Sequence, residues 1–248
     1  MAEQQSFFGR GKWQNPEMER QKSYGPRRFW LPVDDGSGKG KTKVIFLDGA
    51  EGDMFFLFEH QVKLGESWQN WWPCMQNWNE PCELCDVGDD PNYLAMLSVM
   101  TTYQNRKQEW VATRQLFPMK QQTYKVIQDL AAARGGDITR WVVRIARVGE
   151  RSANVGSAFD FERKIPDHET LCREVAPLLG WIGQQQLRPG QKRWTVEDYC
   201  KPFDYVEAFQ KPDPKELIRV ARRLRYSPIT RGGEAPAGGG PRGEDIPF

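Results

Sequence analysis

The stretch "HQVKLGESWQNWWPCMQNWNEPCELC", residues 60–85, concentrates the residue types that bind soft metal ions. It contains three of the five cysteines, one of the two histidines and four of the ten tryptophans of the chain. Two residues separate Cys82 from Cys85, and Cys74 and His60 lie upstream, which is the spacing of a tetrahedral Cys3His zinc site. Four such ligands leave no position for a reacting water. The stretch therefore predicts one structural zinc ion, with a group of free buried cysteines as the alternative.

A second histidine and cysteine offer another source of ligands. His168 and Cys172 are one helical turn apart, but their use would bring the C-terminal helices into the site. His60 is nearer, on the predicted strand that leads into the loop. We therefore assign His60 to the metal and treat His168, Cys172 and Cys200 as core or surface residues. The tryptophans of the loop have acidic neighbours that would repel phosphate, so we expect them to cover the metal lobe.

The length of 248 residues suits one globular body with appendages. No stretch approaches the roughly 20 apolar residues of a membrane-spanning helix, and the N-terminus lacks the apolar centre of a signal peptide. An odd number of cysteines, with three of them clustered, fits a reducing compartment. We therefore expect a cytoplasmic protein without a membrane partner.

Charge is segregated along the chain, although the net charge is only +2. Residues 51–90 contain nine acidic residues and one basic residue, whereas residues 101–151 contain ten Lys and Arg against four Asp and Glu. Aromatic residues are interleaved with the basic ones in the second stretch. This composition is typical of a surface for a polyanion that carries flat bases, and ordinary solvated strand faces are the alternative.

The pattern of apolar residues predicts a mainly β fold with α additions. Residues 1–25 lack periodicity and are expected to form a mobile, mildly basic arm. Residues 26–165 contain short β-branched or aromatic segments and one helix, "KQQTYKVIQDLAAARGG", which ends at a pair of glycines. We expect an OB-fold-like closed barrel with the zinc lobe inserted at residues 60–90. The expected strands are "RRFWLPV", "TKVIFLD", "DMFFLFEHQV", "YLAMLSVMTTYQ", "EWVATRQLFP", "RWVVRIARV" and "AFDFERK".

The remainder of the chain divides into two parts. Residues 166–228 are expected to form helices that pack on or beside the barrel. Residues 229–248 are rich in Gly and Pro and are expected to be a flexible tail.

Signals of an enzyme are weak. "DGSGKGKT" ends like a phosphate-binding loop, but Asp35 stands where that loop needs its first glycine, and a strand follows instead of a helix. With two histidines and no carboxylate cluster in a basic pocket, the sequence offers no catalytic constellation. We expect a protein that is not an enzyme, with a metal-dependent nucleic-acid enzyme such as a nuclease as the alternative.

Together, the basic arm, the barrel with its His/Cys3 lobe, the basic aromatic stretch and the tail resemble the single-stranded DNA-binding proteins of T-even-type bacteriophages. The resemblance covers most of residues 1–165 in the order of the parts, and the ligand spacings are similar but not identical. It implies sequence-nonspecific binding of single-stranded DNA during phage replication, recombination and repair. The N-terminal arm could then reach neighbouring copies on DNA and make binding cooperative.

The end of the tail, "GEDIPF", is similar to the tip of bacterial single-stranded DNA-binding proteins, which docks on replication and repair enzymes. Apolar anchors beside acidic groups suit a basic, apolar pocket on a partner. The expected docking residues are Asp245, Ile246, Pro247 and Phe248.

Strand alternation indicates which side chains contact DNA. Trp110 and Arg114 share one side of their strand, while Arg140 and Arg144 lie opposite the apolar side that contains Trp141. The predicted contacts are basic and aromatic side chains of residues 101–151. Basic side chains of the first hairpin are predicted as outer phosphate contacts. They are Arg27, Arg28, Lys41, Lys43, Tyr103, Arg106, Lys107, Trp110, Arg114, Lys120, Tyr124, Arg140 and Arg144.

Overall fold

The computed structural model describes residues 26–34, 40–50, 52–64, 67–104, 107–184 and 193–226. The predicted N-terminal arm and C-terminal tail, including the four docking residues, lie outside these ranges, as does Arg106. The described residues form a mainly antiparallel β structure with several helices, in agreement with the predicted fold class.

In the described ranges, seven strands form one sheet. Their bounds are β1 (Lys41–Phe46), β2 (Phe55–Leu64), β3 (Ser67–Pro73), β4 (Asn92–Gln104), β5 (Trp110–Met119), β6 (Trp141–Ala146) and β7 (Ala158–Lys164). Six of them coincide with predicted strands. The predicted first strand, residues 27–33, makes only an isolated parallel bridge between Arg28 and Leu116. Residues 67–73, which we expected to be loop, instead form β3 and pair with β2.

The helices lie between β3 and β4, between β5 and β6, and after β7. They are α1 (Glu83–Asp86), α2 (Gln121–Ala132), α3 (His168–Val175), α4 (Val196–Tyr199), α5 (Tyr205–Ala208) and α6 (Pro214–Tyr226). Short 3-10 segments cover Met75–Trp78 and Ala176–Gln184. The predicted helix α2 turns its Thr123, Ile127 and Ala131 to the core and is followed by Gly135 and Gly136 with positive φ. Glycine adopts this left-handed conformation without steric cost, which explains why α2 ends before these two residues.

The sheet is open, so the expected closed barrel is wrong. Its strand order is β3-β2-β4-β1-β6-β7, with β5 paired to β4. Strand β4 has 13 residues, and its length lets β2 and then β1 pair with successive parts of one edge while β5 takes the other. The β2–β3 hairpin therefore extends the sheet at one end instead of closing it.

Both faces of β4 are buried over residues 94–101. Ala95, Leu97 and Val99 lie in the main core with residues of β1, β5, β6 and α2. Met96 and Met100 lie on the opposite face, where the C-terminal segments cover them. A strand that is buried on both sides is mostly apolar and does not alternate, and residues 94–101 follow this rule with Ser98 and Thr101 as their polar members.

Residues 196–209 attach to the opposite face of β4 through a small polar network. The hydroxyl of Tyr205 donates to Asp48, and the Ser98 backbone N–H donates to the same carboxylate over 2.7 Å. Burial raises the pKa of Asp48 to about 6, although both hydrogen bonds act in the opposite direction. The network ties the C-terminal segment to the sheet.

None of the helices in the described ranges has both the length and the apolar composition needed to cross a membrane.

Candidate metal centre and exposed aromatic residues

The four predicted metal ligands come together at the end of the β2–β3 hairpin. His60 lies on β2 and pairs across the hairpin with Trp72, which places Cys74, just after β3, beside it. Cys82 immediately precedes α1, and Cys85 lies within it. The hairpin and the short helix thus bring together residues that are up to 25 positions apart.

The geometry of this quartet fits a tetrahedral metal ion. His60 Nε2 lies 3.3 Å from Cys82 Sγ and 3.6 Å from Cys85 Sγ, and the Sγ atoms of Cys74 and Cys85 are 3.6 Å apart. All four ligand atoms lie within 4.8 Å of one another. Nitrogen and sulfur ligands at the usual zinc distances are about 3.5–3.8 Å apart in a tetrahedron. The group could therefore hold a metal ion.

A second layer of contacts orients the ligands. Asp89 Oδ2 lies 2.7 Å from His60 Nδ1, so this nitrogen is engaged and Nε2 faces the sulfur atoms. The amide of Gln76 donates to Cys85 Sγ over 3.6 Å. A carboxylate on the distal nitrogen of a histidine is the usual support of a metal-binding imidazole.

The electrostatics favour a thiolate at the centre of the group. Burial raises the pKa of Cys82, but hydrogen bonds from His60 and from backbone N–H groups outweigh it and lower the pKa to about 6. Burial lowers the pKa of His60, but Asp89 and Cys82 together raise it to about 9. The thiolate is the form of cysteine that binds metal ions.

The metal lobe is packed against the last helix. Leu217, Val220 and Ala221 of α6 lie in one buried cluster with Trp72 and Leu84 and with three of the four ligands. The position of α6 therefore depends on the loop that holds the quartet. The alternative ligand His168 lies on α3, 3.5 Å from Cys172, and is not part of the quartet.

The prediction of Arg28 as an outer phosphate contact is corrected, because Arg28 is buried. Its side chain is 3% exposed and forms an ion pair with Glu59, whose side chain is 2% exposed. The guanidinium also lies 5.0 Å from the centre of the Trp71 ring. Because Glu59 and Trp71 enclose it, Arg28 is not available to a phosphate.

The prediction of Arg114 on β5 as a DNA contact is also corrected, because Arg114 is buried. Its guanidinium lies 4.1 Å from the Phe203 ring centre and donates to the carbonyl oxygens of Lys201 and Asp198. Residues 198–203 cover this face of β5, so Arg114 is buried. Trp110 lies on the same side of the strand but is exposed.

The cations of β1 and β6 are exposed but neighbour acidic groups. Lys43 and Arg144 both contact Glu162 on β7, and Lys41 lies 2.9 Å from Asp34. Arg140 donates to the carbonyl oxygens of residues 165 and 166. Arg27 and Lys107 are exposed, and Lys120 is half-buried. The predicted cations therefore do not form one uninterrupted basic surface.

Four large aromatic side chains on the central strands are exposed to solvent. Tyr103 and Trp110, both predicted, are 45% and 58% exposed near the β4–β5 turn. Phe56 and Tyr93, which the sequence analysis missed, are 42% and 56% exposed at the other end of β4. Their rings are stacked with centroids 5.8 Å apart, and the predicted Tyr124 meets Phe56 edge-on at 5.6 Å. The run "FFLF" of residues 55–58 is apolar on both faces, so alternation could not distinguish the exposed ring.

Comparison of the chain with models of protein families, with curated proteins and with solved structures gives no match.

Proposed function

We propose that the chain binds single-stranded DNA without sequence preference and coats it during phage replication, recombination and repair, without catalysing a reaction. The observation that carries this proposal is the set of exposed rings on β2, β4 and β5, namely Phe56, Tyr93, Tyr103 and Trp110. Exposed rings of this size give little to folding, whereas a base stacked on one contributes about 1–3 kcal/mol. Every base offers a flat face, so such binding is tolerant of sequence.

The strand connectivity supports an OB-like arrangement for this function. Strands β1, β4 and β5 pair in chain order, α2 follows, and the β6–β7 hairpin returns to β1. The Phe29 N–H donates to the carbonyl of Leu116 on β5, and the Leu31 N–H donates to that of Asn154, before β7. Residues 29–31 thus bridge β5 and the loop that leads into β7. OB-folds are five-stranded and partly open, and they bind oligonucleotides on their sheet.

The proposed metal is one structural zinc ion, held by His60, Cys74, Cys82 and Cys85. Nitrogen and sulfur ligands suit zinc, and four protein ligands complete its shell. The alternative, a nuclease, would need an open coordination position or carboxylates around the ion. Within the described residues the quartet is the group with metal-holding geometry, and it contains no carboxylate. We therefore favour binding over catalysis.

We expect Trp110→Ala to weaken the binding of oligothymidylate about 5- to 150-fold, because one stacking contact of about 1–3 kcal/mol is lost. Fluorescence anisotropy of a labelled oligonucleotide measures this without relying on the tryptophan signal. Trp181→Ala is a matched control, since Trp181 is 40% exposed but lies in the 3-10 segment Ala176–Gln184 and not on a strand.

Equal losses in the two tryptophan variants would count against stacking on Trp110. Binding of the unaltered chain that is independent of salt, or equally strong for duplex DNA, would contradict the proposed function. Degradation of the oligonucleotide with added divalent metal would favour the nuclease instead.

We assign the proposed protein partners to the two terminal segments, both of which lie outside the described residues. We propose that the tip Asp245, Ile246, Pro247 and Phe248 recruits replication and recombination enzymes and that residues 1–25 contact neighbouring copies on DNA. These roles rest on the sequence and on the resemblance to single-stranded DNA-binding proteins.

Deletion of Phe248 is expected to abolish retention of replication enzymes on a DNA-bound layer of the protein, because it removes the terminal apolar anchor. Affinity for a short oligonucleotide should change less than twofold. Surface plasmon resonance on immobilised DNA measures both quantities. If the shortened chain still retained the same enzymes, or lost DNA binding instead, the docking role would be wrong.

A further inference from the structure

Helix α6 (Pro214–Tyr226) is strongly amphipathic. Its Leu217, Val220 and Ala221 are buried against the metal lobe. Its other sides carry exposed cations, which are Lys215, Arg219, Arg222, Arg223 and Arg225. We call these five residues the α6 basic face. The charged side of this helix was not among the predicted DNA contacts.

The cations are arranged along one side of the helix. At about 100° per residue, Lys215, Arg219, Arg222 and Arg223 fall within a sector of about 100°, centred opposite the buried stripe. They extend over about 12 Å at a rise of about 1.5 Å per residue. The acid of this helix, Glu216, is half-buried and lies outside that sector. The sector therefore presents positive charge alone.

Helix α6 also places positive charge beside the acidic metal lobe. The lobe carries Glu83, Asp86, Asp89 and Asp90, and these acids argue against contact with phosphate. Residues of α1 pack directly against α6, and Lys211, just before α6, forms an ion pair with Glu80. A polyanion approaching this end of the molecule thus meets the α6 basic face beside the acidic lobe.

We propose that the α6 basic face binds the phosphate backbone of the single strand and that the metal lobe serves as its support. This inference rests on the proposed function and adds a second contact region to it. Four of the five cations are arginines, whose planar guanidinium groups match phosphate oxygens. An anionic membrane is a poorer fit, because a helix that binds in the membrane interface inserts its apolar side, and here that side is buried in the lobe.

The test uses the full chain with Arg219→Gln, Arg222→Gln and Arg223→Gln combined. Glutamine removes the charge but keeps a high helix propensity. Affinity for oligothymidylate is measured between about 50 and 200 mM salt. Each lost phosphate contact should reduce the log–log salt slope by about 0.7, so the slope should fall by about 2. Raising the salt over this fourfold range should therefore weaken binding about 16-fold less in the variant than in the unaltered chain.

A control with the same charge change replaces Arg151, Arg173 and Lys201, which are exposed and lie outside α6, by glutamine. It should retain the slope of the unaltered chain. Unchanged zinc content and thermal unfolding in both variants ensure that the comparison is between folded proteins.

The possible outcomes separate the inference from the proposed function. If the unaltered chain binds oligothymidylate and the α6 variant keeps the same slope, the inference is wrong and the proposed function stands. If the unaltered chain does not bind, the proposed function fails and the inference fails with it. A loss confined to vesicles of phosphatidylserine, with no change on DNA, would overturn the inference in favour of a membrane contact.

Discussion

Cys82→Ser is expected to eliminate zinc binding and to lower the free energy of unfolding by about 5 kcal/mol or more. Cys82 supplies a ligand that contacts His60, and its low pKa makes it a thiolate near neutral pH. A serine hydroxyl does not provide such a ligand, and three ligands do not close a structural site. Loss of a metal is one of the few single changes that produce an effect of this size. Elemental analysis and denaturant unfolding measure the two quantities.

The loss should be concentrated in the metal lobe and α6. The three cysteines of the quartet pack in one cluster with the apolar stripe of α6, so hydrogen exchange should accelerate in residues 71–89 and 214–226 before it does in β4 and β5. Chelation of the unaltered protein should reproduce this pattern. A slower, uniform increase over the whole sheet would indicate that the metal supports the fold in another way.

His168→Ala and Cys172→Ser are the matched controls for the metal site. They remove the same residue types from α3, where they lie 3.5 Å apart and outside the quartet. Both variants should retain one zinc per chain. The assignment would be wrong if Cys82→Ser retained zinc, if His168→Ala lost it, or if the unaltered chain, purified without chelator, contained less than half an equivalent.

Glu59→Ala is expected to destabilise the protein by about 3–5 kcal/mol. The substitution leaves the guanidinium of Arg28 buried without its carboxylate, and an unpaired buried charge has a cost of this size. Burial raises the pKa of Glu59, and Arg28 opposes that shift, so the pair depends on its mutual contact. Urea unfolding monitored by tryptophan fluorescence measures the change in the free energy of unfolding.

Two comparisons make this second prediction specific. The pair of Arg163 and Glu174 has exposed side chains, so Glu174→Ala should cost at most about 1 kcal/mol. The double variant Arg28→Met with Glu59→Leu removes both charges and should be more stable than Glu59→Ala alone. If the double variant were no more stable than the single one, the loss would come from packing and not from the unpaired charge.

The strands and the His/Cys3 quartet could be predicted from the sequence because both depend on local spacing. Six of the seven strands follow from short apolar segments between turn residues, and α2 follows from its apolar stripe and glycine stop. The quartet follows from the two-residue spacing of Cys82 and Cys85 with a cysteine and a histidine upstream. These residues are joined by one hairpin and one short helix, so few long-range contacts are needed to bring them together.

Tertiary structure alone decided which side chains are exposed and how the sheet is arranged. Arg28 is buried by a residue 31 positions away, and Arg114 is buried by carbonyl groups 84 to 88 positions away. The open sheet results from β2 and β1 sharing one edge of β4, which strand patterns do not encode. Alternation assigns a side chain to a face of its strand, but burial depends on which distant segment packs on that face. The same reason left Phe56, Tyr93 and the α6 basic face unpredicted, because only the packing of α6 on the metal lobe determines which side of the helix remains in solvent.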